Sequence, residues 1–280
     1  MYLKRILKKS PFLSWLRKSN NRKILRRLGN NPYPQAQKIK IAIENMELPL
    51  PEMEKKLLIA IEKERLRLLA NKNPLNDGTL GRGGLYDKDV TIEEACNVSK
   101  PPKQALLLYL LIRTLKPINV IELGTNIGIS SAYIGAALKI NNQNGKLITL
   151  DDSSYRQRIA QTLHKNVGLN NLSYVEGLFT DTLDKTLNQL KSVDLAFIDG
   201  HHQYQPTLDY YNQISKFSVA NSIFIFDDIR WSEGMKKAWS ELQKDARLGM
   251  TVDFNQIGLG IRKSEEVREK FVFPQLKIFQ

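Results

Sequence analysis

The chain has 280 residues, with 42 Lys and Arg against 29 Asp and Glu, giving a net charge of +13. A hydrophobic content of 42% supports a sizeable core and excludes a disordered chain. Cys96 is the single cysteine, which excludes an intramolecular disulfide and a thiolate metal cluster and points to a reducing, cytoplasmic compartment.

The charge is concentrated at one end. Twelve basic residues fall between Met1 and Ile43, and the first acidic residue is Glu44, so the rest of the chain is close to neutral. No apolar run is long enough to predict a membrane span or a secretory signal. Tyr2, Leu3, Ile6, Leu7, Phe12, Leu13, Trp15 and Leu16 interleave with the basic residues, a mixture suited to an anionic membrane surface through residues 1–30. A solubilising arm or an organelle-targeting segment has the same composition. Residues 1–43 are therefore read as a basic N-terminal arm, with Pro11 breaking or restarting any helix there.

Residues 44–98 form a second segment. Leu57, Leu58, Ile61, Leu66 and Leu69 recur at helical spacing and predict a helix over Met53–Ala70. Asn71–Gly84 is a loop by composition, and Gly78, Gly81, Gly83 and Gly84 make it a candidate lid.

From residue 99 to 280 the pattern becomes regular. Pro101 and Pro102 suit the first turn of a helix, which runs through Gln104–Leu115. Strands are predicted at Asn119–Leu123, Lys146–Leu150, Leu172–Val175, Val193–Ile198 and Ser222–Phe226. Helices follow them, near Ser130–Leu138, Ile159–Val167, Leu183–Leu190, Thr207–Ile214 and Glu233–Leu242. Thr251–Phe254 and Gly258–Ile261 suit a closing antiparallel hairpin. The fold class is α/β: a doubly wound, mostly parallel Rossmann-like sheet preceded by a helical N-terminal extension. Ligands of such sheets bind beyond the carboxyl ends of the strands, so chemistry is sought there.

After the first strand comes Glu122-Leu-Gly124-Thr125-Asn126-Ile-Gly128, then Ser130 and Ser131 at the next helix. The glycines allow a tight turn and close approach of a ligand. Asn126 and Ile129 stand where the G-x-G-x-x-G dinucleotide fingerprint needs glycine, which disfavours a nicotinamide dehydrogenase. The second strand ends on Asp151, suited either to the ribose hydroxyls of an adenosyl ligand or to a helix cap. Gly177, Leu178 and Phe179 follow the third strand and suit a wall for an adenine ring, with core packing of Phe179 as the alternative. Asp199, His201 and His202 follow the fourth strand, and Asp227 and Asp228 the fifth. Carboxylates crowded at one mouth either raise a pKa or recruit a cation, and three oxygen ligands suit Mg2+. Trp231 is a candidate wall of an acceptor pocket. His164, within a helix, is expected at the surface.

Together these motifs resemble the class I S-adenosylmethionine (SAM)-dependent methyltransferases. They are most similar to the metal-dependent catechol and caffeoyl-CoA O-methyltransferases, and to a bacterial branch with Asp-Gly-x-His after the fourth strand. The resemblance covers residues 99–263 and implies methyl transfer to a hydroxyl oxygen of a small molecule or sugar. It implies that Glu122, Gly124, Thr125, Asn126, Gly128 and Ser130 line the methionine side of SAM. Asp151 would hold the ribose, and Gly177–Phe179 and Asp199 would complete the cofactor site. It also implies Asp199, Asp227 and Asp228 as ligands of a divalent metal, Mg2+. His202 stands where many relatives carry a basic lysine, and His202 or His201 would be the general base. A non-catalytic SAM-binding scaffold tethered by its basic arm is the alternative. The neutral main domain disfavours nucleic acid as a partner, and a homodimer is allowed.

Overall fold

The structure, a computed structural model, describes residues 11–31, 33–75, 90–141, 144–263 and 269–273. The glycines of the candidate lid and the first ten residues lie outside the described residues. In chain order the elements begin with α1 (Pro11–Gly29), α2 (Pro34–Asn45), α3 (Glu52–Leu69), α4 (Ile92–Asn97) and α5 (Pro102–Leu115). The alternating part follows as β1 (Asn119–Leu123), α6 (Ile129–Asn141), β2 (Lys146–Asp151), α7 (Ser154–Asn166), β3 (Leu172–Glu176), α8 (Phe179–Leu190), β4 (Val193–Ile198), α9 (Tyr204–Ser215), β5 (Ser218–Phe226) and α10 (Glu233–Leu242). It closes with β6 (Leu248–Asp253), β7 (Gly258–Arg262) and β8 (Glu269–Val272).

Eight strands form one sheet in the order β3-β2-β1-β4-β5-β7-β6-β8. Strands β1 to β5 pair in parallel. β7 runs antiparallel to β5 and to β6, which is the expected closing hairpin. β8 was not anticipated; it adds to β6 in parallel at the edge. Strand order reverses between β1 and β4, so the crevice at their carboxyl ends is the switch point of the sheet.

The apolar runs of the strands divide by period two between two cores, because successive side chains point to opposite faces. Val120, Leu195, Phe197, Ile223 and Ile225 enter one core, with α2, α3, α5 and α6. Ile121, Leu123, Ala196, Ile198, Phe224 and Phe226 enter the other, beneath α8, α9 and α10. Ile24, Leu28, Tyr33, Ile39 and Ile61, from the segments preceding the alternating part, bury themselves in the first core beside Tyr109 of α5. Helix α4, too short and polar to declare itself by periodicity, is held by a capping box: Thr91 Oγ1 accepts from Glu94 N at 3.2 Å, and Glu94 accepts from Thr91 N at 2.8 Å.

His164 is not at the surface. It is fully buried, with Nε2 2.8 Å from the Gly128 carbonyl oxygen and Nδ1 2.6 Å from the Tyr174 hydroxyl. Helical spacing alone put it on a polar position, and a partner contributed by a distant turn reversed that. Among the described residues, no helix is long and apolar enough to cross a membrane.

Candidate active site at the carboxyl ends of the central strands

Backbone hydrogen bonds step the strand ends into a single rim. Gly124 N donates to Leu150 O at 2.9 Å, Asp199 N to Leu123 O at 3.0 Å, and Asp227 N to Ile198 O at 3.0 Å. Each strand thus hands its functional residue to its neighbour, and Gly124, Asp151, Asp199 and Asp227 come together although the sequence spreads them over about a hundred positions.

The glycine turn is shaped by contacts no other residue permits. Gly124 has φ +102°, and a Cβ there would sit 2.5 Å from the Asp199 carbonyl oxygen. Gly128 has φ +87°, and its Cβ would collide with Ala160 and His164 of α7. Between them Asn126 adopts φ 46°, donates its side-chain amide to Ala95 O of α4 at 3.1 Å, and accepts from Arg156 at 3.1 Å. Asn126, His201 (φ 61°), His202 (φ 38°) and Asp228 (φ 48°) are all non-glycine residues in the left-handed region, and all stand just beyond β1, β4 or β5. Backbone of this kind is costly and concentrates at working sites.

Glu122 does not line a surface. It is wholly buried under the turn, accepting from Ser131 Oγ and from Thr149 Oγ1, the latter at 2.7 Å. Burial pushes its carboxyl up to about 7, against the lowering effect of those hydroxyls. Thr125 is buried beside it, its hydroxyl 2.6 Å from that of Thr149. Ser130 is buried at the first turn of α6. Asp151 stands at the end of β2, accepting from Asn126 N at 2.7 Å and from Ser153 N at 3.0 Å. Burial raises it to about 6 despite these two donors.

Beyond β3, Gly177 has φ +131° and Leu178 leaves 45% of its surface exposed. Phe179 is packed inward: its ring meets those of His201 and Tyr210 edge-on, at 5.7 and 5.4 Å, and a Cβ on Gly200 would lie 2.5 Å from its edge. Core packing therefore accounts for Phe179, and Leu178 is the side chain of that pair that faces outward.

The two histidines, indistinguishable in sequence, are separated by the structure. His201 turns toward α9, its Nδ1 2.7 Å from the Tyr210 hydroxyl. His202 turns toward the carboxylates, with Nε2 3.6 Å from Asp199 Oδ1, and its ring lies 6.4 Å from that of Trp231.

The residue that sequence reasoning missed is Lys100. It leads into α5, is 8% exposed, and its ammonium contacts Asp227 Oδ2, whose side chain is 1% exposed. Burial works against its charge, but the negative charges of Asp227, Asp199 and Asp228 outweigh that and hold Lys100 protonated. Burial likewise opposes ionisation of Asp227, but Lys100 overrides it and keeps Asp227 below the usual carboxylate range. Asp199, partly buried and facing the charged Asp227, is pushed well up. The only sequence signal for Lys100 was its position before Pro101 and Pro102, which fix the backbone at the start of α5.

This arrangement does not fit the divalent ion expected at Asp199, Asp227 and Asp228. A cation already lies on Asp227, and it is a side chain of the protein. Among the described residues no group of three or more His, Cys, Asp and Glu side chains is arranged to hold a metal.

Residues 121–229 match a family model described as a methyltransferase domain, a span running from the glycine turn through the Asp227–Asp228 pair. A catechol O-methyltransferase of Niastella koreensis is 27% identical over 134 residues, covering 47% of this chain and 58% of that protein. An uncharacterized protein of Acanthamoeba polyphaga mimivirus is 28% identical over 145 residues, covering 46% of this chain and 61% of its own. The chain thus spans about three fifths of the length of these curated relatives. Among solved structures, an SAH-bound methyltransferase of Podospora anserina superposes with a TM-score of 0.55 at 16% identity, over 84% of this chain and 98% of that one. An O-methyltransferase from Bacillus cereus in complex with SAH gives a TM-score of 0.52 at 18% identity, over 79% and 95%. The fold is that of the class I SAM-dependent methyltransferases.

Proposed function

We propose that the protein is a SAM-dependent methyltransferase acting on a hydroxyl oxygen of a small molecule. The observation that carries this reading is the convergence of the glycine turn, Asp151 and the Asp199–His202 segment on the switch point between β1, β2 and β4. The catechol O-methyltransferase relative and the SAH-bound structural neighbours support it.

The residues present fit a nucleoside. Asp151 spends one lone pair of each oxygen on backbone N–H groups, which leaves acceptor capacity for ribose hydroxyls. Leu178 offers an exposed apolar side chain beyond Gly177, suited to lie against a flat ring. The turn from Gly124 to Gly128 and the first turn of α6 would receive the methionine portion.

Bound SAM supplies a methyl group on a sulfonium sulfur, which departs as the thioether SAH when the acceptor oxygen takes the methyl. The protein's part is alignment and proton removal. His202, the histidine facing the carboxylates, takes the proton from the acceptor hydroxyl as the O–C bond forms, so the methylated product leaves neutral. Trp231, 52% exposed and beside His202, walls the acceptor side. No step in this scheme passes through a divalent ion. Calorimetry with SAM, followed by an acceptor screen with methyl-labelled SAM, tests the reading. SAM binding with transfer to a hydroxyl compound is the expected result, and absence of SAM binding overturns it.

A further inference from the structure

We infer that Lys100 is the resident cation of this active site, standing in place of a divalent metal, and that methyl transfer here is metal-independent. The inference rests on the methyltransferase reading for its second half, while its first half concerns the carboxylates alone.

Asp199 and Asp227 are brought to one rim by the strand-end hydrogen bonds, with Asp228 next in the chain, and like charges so placed require compensation. Lys100 supplies it from within the chain, its ammonium in contact with Asp227. The lysine is held there. Ser99 N is bonded to Cys96 O at 3.0 Å behind it, and Pro101 and Pro102 restrict the backbone ahead of it. Its side chain is 8% exposed, so the ammonium has exchanged most of its water for the carboxylate it touches.

Mg2+ needs several oxygens at about 2.0–2.1 Å in octahedral array, and Asp227 would offer it Oδ1 alone, because the ammonium lies on Oδ2 of the same carboxylate. Both cations cannot be accommodated on that carboxylate without mutual repulsion. Lysine and metal do different chemistry. An ammonium donates hydrogen bonds and attracts a developing negative oxygen, but acidifies a hydroxyl less than a metal does. A site built on Lys100 therefore depends more heavily on a base, and His202 stands 3.6 Å from Asp199 for that purpose.

The experiment is a Mn2+ titration of the full chain, with and without SAH, followed by electron paramagnetic resonance of the free ion. The same sample is assayed for SAH binding by calorimetry. Wild type is expected to retain no Mn2+ at millimolar concentration. Lys100→Met is expected to gain at least about tenfold in Mn2+ affinity, with the gain lost in Lys100→Met/Asp227→Asn; Lys100→Arg should stay like wild type. One equivalent of Mn2+ on wild type, lost in Asp227→Asn, overturns the inference. A folded Lys100→Met that gains no Mn2+ affinity overturns the assignment of Lys100 as the replacing charge. Should Lys100→Met not fold, Lys100→Gln takes its place, and the wild-type titration decides by itself whether the carboxylates take a metal. Absence of SAH binding strikes the methyltransferase reading and leaves the Mn2+ result legible.

Discussion

His164 Nε2 lies 2.8 Å from the carbonyl oxygen of Gly128, so that a helix following the second strand props the turn following the first. The neutral ring is the form that fits: burial drives its pKa down to about 4, although the Gly128 carbonyl works the other way. Gly128 has no room for a side chain because His164 and Ala160 fill that space.

The buried histidine predicts acid sensitivity. Its folded-state pKa is depressed, so above about 6.5 it is neutral in both states and imposes no penalty. As pH falls from 6.5 toward 4 the unfolded chain takes up the proton and the folded chain does not. Stability should drop across that window by roughly 2–3 kcal/mol from this group. Urea unfolding at several pH values checks it; His164→Gln should be less stable at pH 7.5 and show a shallower decline.

Glu122 predicts the opposite slope at its own window. Its carboxyl is raised from 4.5 to about 7, so the stability of the protonated form is fully present below 4.5 and lost as pH rises through 7. Glu122→Gln, which cannot ionise, should unfold at nearly the wild-type denaturant midpoint at pH 4.5 and be more stable at pH 8, by up to about 3 kcal/mol. Equal stability of the two proteins at pH 8 would show that Glu122 ionises without cost.

Asp151 holds the glycine turn by accepting from Asn126 N, and in the proposed function it also receives the ribose. Asp151→Asn should weaken SAH binding at least about tenfold, since a charged acceptor is replaced by a weaker one. Calorimetry on the folded variant measures it. Unchanged affinity would leave Asp151 as a turn-holding residue alone.

The two histidines should separate in a transfer assay. His202→Ala is expected to lower turnover by about 10²–10⁴ with SAH affinity retained. His201→Ala removes a contact to Tyr210 and Phe179 and should act mainly on stability, by about 1 kcal/mol. The reverse pattern would transfer the base to His201.

The sheet was legible because its strands are apolar on both faces. Phe197-Ile198 and Ile223 to Phe226 admit no other reading once helices separate them. Strand-end acids and glycines were legible for the same reason: an open parallel sheet presents its carboxyl ends at one edge. Residues whose surroundings come from elsewhere in the chain were not. Lys100 precedes β1 by a whole helix, and nothing local to it reports the carboxylates it will meet. His164 needed Gly128, and Phe179 needed the bare backbone of Gly200, before burial became its evident fate. β8, four residues long with Glu269 and Lys270 in it, has too little pattern to be read alone.

The hydrogen bond from the Asn126 side chain to Ala95 O joins the glycine turn to a helix that precedes the sheet. Together with Lys100, three residues beyond that helix, it makes the preceding segment a wall of the site. A shortened chain beginning at residue 99 would keep every strand and every residue of the matched span, yet lose the carbonyl that orients Asn126 and the helix that anchors Lys100. The span that carries the site's motifs is therefore shorter than the span that holds them in place.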